Sequence, residues 1–568
     1  MDKIVRSYME DFMKSNEIEE KDEHKQFEMF ATYCTTAQQY PEQFDVSDLV
    51  TGAGGDCGID GIAIIANGTL INTKEEIDDL IELNKKISDL SFIFVQAKTS
   101  AKFSSGEIGT FGNGVLNFFE NETTDLPLNQ FIKEKIEISD YIFRKSIHLK
   151  IKPKCYLYYV TTGKWVEDSN CVSRKNKIVK DLVEQNIFSD VKFIPVDADL
   201  IQKFYRNTID VVEKEINFEN KILLPDIEKV KQSYLGYLDC KEYLKLIIDD
   251  NEELQKSVFY DNVRDYQGEN SVNLEIAESI NNEPEKFVLL NNGVTIICKQ
   301  LTSVRNKFTL TGYQIVNGCQ TSHVLYYNRL KNESVLQIPV KIIETEDEET
   351  VNRIIKATNR QTEVTDEQLM ALNEFHRKLE AYYNTYTGNK KLYYERRSKQ
   401  YNAVTNIEKV RIVSISMQIK AAAAMFFDNP HLASRYYGKL VKSINGLFSL
   451  EHKMIPYYTC TYVLYRLEYL FRNKMLPAQY RKYRFHILML MKYDFAKGKI
   501  PALNANKIED LCDRILQCAD DTRELTKEVN KLIKIIDKYV TDLNNQELTK
   551  SASLVDELKR EINGTILH

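Results

Sequence analysis

Two hydrophobic periods share the first part of the chain, and one takes over in the last. Phe27, Phe30, Ala31 and Cys34 recur at three- and four-residue steps, predicting a helix over residues 24–38. Short apolar runs at Ile59–Ala66, Phe92–Ala97 and Lys154–Thr162 predict buried strands. The polar stretch Asn67–Leu90 between the first two predicts a turn and a helix. A helix over 172–186 and a strand over Val191–Val196 follow, so residues 1–225 read as an α/β unit. Asn217–Lys231, which contains Pro225, marks its end.

Residues 226–404 predict a second α/β block, with strands at Phe287–Ile297, Phe308–Val316 and Gln337–Ile343. Thr365-Asp366-Glu367-Gln368 has the capping-box pattern that opens a helix. Residues 405–568 keep a helical period with few glycines or prolines, predicting a mostly helical C-terminal region that packs on the centre or mediates self-association. The fold class expected is α/β.

At 568 residues the chain exceeds one ordinary core, and 43% hydrophobic with 28% charged residues describes a folded, soluble protein. Its 76 basic and 83 acidic residues leave a net charge of −7, so a nucleic-acid partner must be met by local patches. Ten scattered cysteines without a CxxC suit a reduced cytoplasm and suggest no zinc site. The amphipathic, acidic start does not resemble a signal peptide, and no apolar run approaches the ~20 residues that span a bilayer. A cytoplasmic protein without a membrane partner is expected.

The sharpest chemical signal is Gly54-Gly55-Asp56-Cys57-Gly58-Ile59-Asp60-Gly61, followed by Phe92-Ile93-Phe94-Val95-Gln96-Ala97-Lys98. Residues two apart on a strand share a face, so Gln96 and Lys98 project together and Asp60 can join them from a neighbouring strand. Hard oxygen donors suit Mg²⁺ or Mn²⁺, and a nearby ammonium stabilises negative charge developing on a phosphodiester. Asp60 is the expected principal ligand, Gln96 a weaker neutral one, Lys98 the cation, and Glu28 a further acid on the preceding helix. A strand-end lysine and a hydrogen-bonded core amide give the same spacing without chemistry.

The run GGDCGIDGIAI, then FVQAK, behind a helix carrying FEMF, resembles the Mrr-type branch of PD-(D/E)xK endonucleases over residues 20–200. In that branch glutamine replaces the usual acid of the last motif. The resemblance implies a restriction-endonuclease-like fold, Asp60, Gln96 and Lys98 at metal-binding and catalytic positions, and Glu28 as the helix acid. The Asn67–Leu90 insertion departs from the pattern, and Asp56 competes with Asp60.

A second group of motifs is rich in Asn, Gly, Gln and Arg, residues suited to tight turns and polar ligand contacts. NVRDYQG, LLNNGVTI, IVNGCQTSH, ATNRQT and YYERRSKQY occur in order and resemble the AIPR family, the abortive-infection phage-resistance proteins of bacteria, over residues 255–400. Arg264, Asn292, Asn317, Gln320, Arg360, Arg396 and Arg397 are the expected ligand- or nucleic-acid-binding residues. Lys390–Tyr401 interleaves five basic residues with three tyrosines, which suits either a nucleic-acid grip or a solvated helix face. Arg472, Arg481, Lys482 and Arg484 suit a basic patch or an ordinary charged surface.

The combined expectation is an anti-phage protein whose metal-dependent endonuclease is gated by the AIPR block. Expected partners are nucleic acid (DNA rather than RNA), a phage-derived trigger and a second copy of the chain. The alternative is a nucleic-acid- or partner-binding sensor with a degenerate nuclease fold. A nucleotide-handling enzyme is a third reading, although the chain has no P-loop GxxxxGK[ST].

Overall fold

Asp2 and Asp22 accept backbone N–H groups of the residues that follow them and so start the first two helices, α1 (Lys3–Ser15) and α2 (Glu23–Thr36). In the computed structural model, every residue is described except 41, 53, 121–127, 250–251, 253, 260–270, 330–334, 359–365, 397–399, 402–406, 434, 436–439, 442, 544 and 567–568. After α2 come β1 (Gly61–Ala66), β2 (Thr69–Leu70), α3 (Lys74–Asn84) and β3 (Leu90–Lys98). The unit continues through α4 (Ser105–Phe119), α5 (Gln130–Arg144), β4 (Lys154–Thr161), α6 (Ser169–Glu184), β5 (Asp190–Val196) and α7 (Ala198–Ile209). The polar insertion is thus a short hairpin and a helix, which opens with a Thr73/Glu76 capping box.

The five strands order as β2-β1-β3-β4-β5, with β3, β4 and β5 parallel and β1 antiparallel to β3. Strand alternation sorts the apolar side chains into two layers. Ile62, Ile64, Phe92, Phe94 and Leu157 pack with α4 and α6, while Ala63, Ile65, Ile93, Val95 and Tyr158 pack with α1, α2 and α7.

The centre begins with β6 (Glu213–Asn217), β7 (Asn220–Leu223), β8 (Gln232–Asp239) and α8 (Cys240–Ile247). Next come α9 (Ser271–Asn282), α10 (Phe287–Leu290), β9 (Val294–Cys298), β10 (Gln300–Val304), β11 (Lys307–Thr311), β12 (Gln314–Asn317), α11 (Cys319–Tyr327), β13 (Gln337–Glu344) and α12 (Glu348–Thr358). They form a mixed sheet β12-β9-β13-β8-β7 and a second sheet β10-β11-β6. Two expected strands are divided. Phe287–Leu290 is helical, because the Asn291 side chain accepts the Gly293 N–H at 2.9 Å and Gly293 turns at φ 81° before β9. Gly312, at φ 63°, separates β11 from β12.

The last core gathers α13 (Asp366–Tyr383), β14 (Tyr393–Glu395), β15 (Ile412–Ser414), α14 (Ile415–Phe426), α15 (Ile455–Arg472) and α16 (Arg484–Ala496). It also takes in α17 (Lys507–Asp520), α18 (Thr522–Asp537) and α19 (Ala552–Ile566). This helical region docks on the N-terminal unit. Tyr465 donates to Glu17 at 2.8 Å, Arg411 meets Glu17 at 3.0 Å, and Lys550 meets Glu75 at 2.8 Å. No helix among the described residues is long and apolar enough to cross a membrane.

Candidate active site

The glycine-rich run before β1 is a folded turn. Gly55 and Gly58 take φ of 80° and 77°, Cys57 takes 52°, and Asp56 Oδ1 accepts the Gly58 N–H at 2.8 Å. Helix α4 presses on this turn through Gly114, where a Cβ would stand 2.2 Å from the Cys57 carbonyl oxygen. On the other side α2 presses on Gly61, where a Cβ would stand 2.5 Å from Thr32 Oγ1. Two close helix contacts therefore fix the entry to β1 and deliver Asp60 to a set position.

Gly61 pairs with Val95, so antiparallel register sets Asp60 opposite Gln96. The Asp60 amide donates to the Val95 carbonyl at 2.8 Å, and its Oδ2 accepts the Ala97 N–H at 2.7 Å. Gln96 is buried, its Nε2 lies 3.1 Å from the place of a Gly58 Cβ, and its Oε1 has no hydrogen-bond partner. An orphaned buried amide oxygen is costly unless something else meets it. Lys98 follows on the same strand face, at the C-terminal end of this central strand.

Electrostatics join Glu28 of α2 to this group. Burial, and then the Asp60 carboxylate, push Glu28 up to about 7, while Lys98 opposes the rise. Burial likewise pushes Asp60 up to about 6, against the Ala97 amide and Lys98, with Asp56 adding to the rise. The strand end is also pinned by Thr99, whose hydroxyl lies 2.9 Å from His24 Nδ1. His24 precedes Glu28 by one helical turn, a positioning contact readable only as an i, i+4 spacing on α2. Two carboxylates, an amide oxygen and an ammonium are thereby gathered at one end of β1 and β3.

Among the described residues no three Asp, Glu, His or Cys side chains form a group that could hold a metal ion. A divalent cation here would rest on Asp60, Glu28 and the unmet Gln96 Oε1, with water and phosphate oxygens completing its shell. Those donors are all hard oxygens, the kind Mg²⁺ and Mn²⁺ prefer.

The central residues are distributed differently. Asn317 ends β12 opposite Thr295, Gln320 accepts from Asn273 Nδ2 at 2.8 Å, and Asn291 donates to Thr321 at 3.2 Å. Asn292 is exposed beside them in the turn before β9. These residues cluster at one end of β9 and β12. Arg396 does not join them, because Glu380 of α13 holds its Nε at 2.5 Å. Arg264, Arg360 and Arg397 lie outside the described residues.

The described residues of Lys390–Tyr401 do not form a solvated helix face, since they carry β14, with Leu392 and Tyr394 fully buried in the helical core. The Tyr394 ring is fully buried against His376 and Tyr383, with its hydroxyl 2.6 Å from His376 Nδ1, so it is not available for base stacking. Arg472, Arg481 and Arg484 are not an outward basic patch either. They point inward to Asp45, Asp48 and Glu468, with Arg472 only 4% exposed. Sequence spacing could not show this, because Asp45 and Asp48 lie more than 400 residues from their partners in α15 and the turn after it.

The molecule is thus a protein in which an α/β unit carrying an acidic, lysine-bearing cluster is joined to a mixed-sheet and helical region. The AIPR protein family model matches residues 259–544, half of the chain, across both the mixed sheets and the helices. The chain belongs to the AIPR protein family, and this membership suggests an anti-phage, abortive-infection role. No curated protein and no solved structure matches the chain.

Proposed function

We propose that the N-terminal unit hydrolyses phosphodiester bonds in nucleic acid, DNA rather than RNA, and that the AIPR-family region controls it during phage infection. The observation that carries this reading is the juxtaposition of Asp60 with Gln96 across β1 and β3, with Lys98 beside them and Glu28 electrostatically joined. The Mrr-type resemblance of the same residues agrees with it.

In this reading Asp60, Glu28 and Gln96 Oε1 hold Mg²⁺ or Mn²⁺. Such an ion polarises phosphate and lowers the pKa of bound water. Lys98 stabilises the negative charge that builds on the phosphoryl oxygens. The Ala97 amide keeps the Asp60 carboxylate turned toward the pair on either side of it. Burial raises Glu28 to about 7, and a cation held there would favour the ionised form that a ligand needs. The interface between the N-terminal unit and the C-terminal helices supplies a route for control by a phage-derived trigger, and a second copy would permit cutting of both strands.

The test is incubation of linear and supercoiled DNA with the full chain and Mg²⁺ or Mn²⁺, beside Lys98→Ala. Metal-dependent cutting by the wild type alone supports the proposal; equal cutting by both defeats it. A second reading has its own observation: Gln96 stands where a third carboxylate would strengthen cation binding, and no acidic triplet is present among the described residues. That reading is a sensor that binds nucleic acid or a partner without cleaving. Titration calorimetry with Mn²⁺ separates the two, because a catalytic cluster gives heat that Asp60→Asn removes.

A further inference from the structure

Alternation along the strands of the mixed sheet sends Leu238, Ile338 and Val340 to one face, which α8 and α11 cover. Leu235, Tyr237, Pro339 and Lys341 go to the other. There α12 covers one corner, where Val351 packs with Ile297, Val316 and Ile343. The rest of the face is open. Ile222 of β7 and Leu235 of β8 are cross-strand partners, 70% and 45% exposed, and Leu223 and Ile227 near them are exposed as well. β7 is the last strand of this sheet. Large apolar side chains side by side at a sheet's edge invite a partner.

Two charged positions share the open face, and their placement is symmetric. Asp239 ends β8 opposite Gln337, Lys341 of β13 lies opposite Leu235, and the Tyr237–Pro339 pair falls midway between them. Each charge is therefore displaced by two residues, roughly 7 Å, from that pair, in opposite directions along the strands. Asp239 opens α8 without a side-chain capping bond, and neither it nor Lys341 has an ion pair among the described residues. A twofold axis running across the strands over Tyr237 and Pro339 carries Asp239 of one copy to the level of Lys341 of the other. The same operation repeats the contact in reverse, so two ion pairs flank an apolar centre. Stacked sheets lie about 10 Å apart, a gap that a lysine from one side and an aspartate from the other can close.

We propose that this open face of the mixed sheet is where a second copy of the chain docks, sheet against sheet, with its strands running the opposite way. Ile222, Leu235, Tyr237 and Pro339 form the apolar centre of the interface, and Asp239 with Lys341 fixes its register. The face complements itself in both shape of pattern and charge, which is what a twofold contact requires and an unrelated partner does not. The Asp60 cluster lies on a different sheet, so the inference rests on no part of the cleavage reading.

Sedimentation equilibrium on the full chain tests it. The wild type is expected to dimerise, and Leu235→Glu to weaken the dimer tenfold or more. Leu235 stands on the open face, so its replacement uncovers no core. Asp239→Lys and Lys341→Asp each set like charges opposite one another and are expected to weaken self-association to a similar degree. Mixed together, these two variants regain both ion pairs and are expected to form a heterodimer as tight as the wild-type dimer. A wild type that stays monomeric at about 100 µM overturns the proposal. So does a dimer that Leu235→Glu leaves intact, which would place the contact elsewhere on the chain, or a pair of charge variants that does not recover on mixing.

Discussion

The Asp60 carboxylate accepts the Ala97 amide hydrogen at 2.7 Å, on the one residue that separates Gln96 from Lys98. A side chain on one strand thus closes onto the backbone of the next at the point where the candidate chemistry lies. The hydrogen bond fixes the carboxylate, and burial keeps its protonated form accessible up to about pH 6.

If Lys98 stabilises phosphoryl charge, its loss removes charge stabilisation without disturbing the core, since Lys98 is the least buried residue of β3. Lys98→Ala is expected to lower metal-dependent cutting about 100-fold or more with an unchanged melting temperature. Asp60→Asn is expected to do the same and to reduce Mn²⁺ binding. Plasmid cutting read beside thermal unfolding checks both, and retained phage protection by either variant would remove the nuclease from the defence role.

The raised carboxylates give a pH dependence of definite sign. Folded Glu28 and Asp60 titrate near 7 and 6, above their ordinary values of 4.5 and 3.8. Between those limits the folded state holds more protons than the unfolded one, so their contribution to stability is present in full below the ordinary values and is lost as pH rises through the folded ones. In EDTA the wild type is expected to lose melting temperature between pH 5 and 8 more steeply than Glu28→Gln/Asp60→Asn. Added Mn²⁺ should recover the loss at pH 8, where both groups are ionised, and cutting should rise over the same range. Parallel melting curves for wild type and double variant would show that these carboxylates are not perturbed.

Gly61 and Thr32 offer a test of position without touching a charged group. A Cβ on Gly61 would meet Thr32 Oγ1 at 2.5 Å and Cγ2 at 2.7 Å, so Gly61→Ala must move α2, and Glu28 with it. Cutting is expected to fall at least tenfold. Thr32 Oγ1 is buried without a hydrogen-bond partner, so Thr32→Ala alone should cost no more than about 1 kcal/mol. In the double variant that space is freed and activity should return in part. No recovery would mean that the strain at Gly61 is relieved elsewhere than through α2.

Much of this arrangement was legible in the sequence because local rules govern it. β1, β3, β4 and α2 follow from apolar runs and helical spacing, and the strand period places Gln96 and Lys98 on one face. The register that sets Asp60 opposite Gln96 was a guess that only strand pairing could settle. Local rules failed where a side chain interrupts a run, as Asn291 does before β9. They failed again where charge meets charge over long separations. Arg472 and Arg481 read as surface until Asp45 and Asp48 are seen beside them. Tyr394, inside a basic and aromatic stretch, turns inward because α13 and β15 cover it.

The same long-range pairing gives a final prediction about how the N-terminal unit is held to the helices. Asp79 of α3 is fully buried, and Arg435 grips both its oxygens, Nε standing 3.1 and 3.0 Å from them. A buried carboxylate that loses its guanidinium is left with an uncompensated charge, worth roughly 3 kcal/mol or more in destabilisation. Arg435→Ala is therefore expected to expose α3 to limited proteolysis and lower the first unfolding transition. Asp79→Asn in the Arg435→Ala background removes the stranded charge and should restore part of the loss, giving a coupling in a double-mutant cycle. Losses that simply add would show that the two side chains stabilise the junction separately, and that α3 is held there by its neighbours, Glu75 with Lys550 and Glu76 with Lys420.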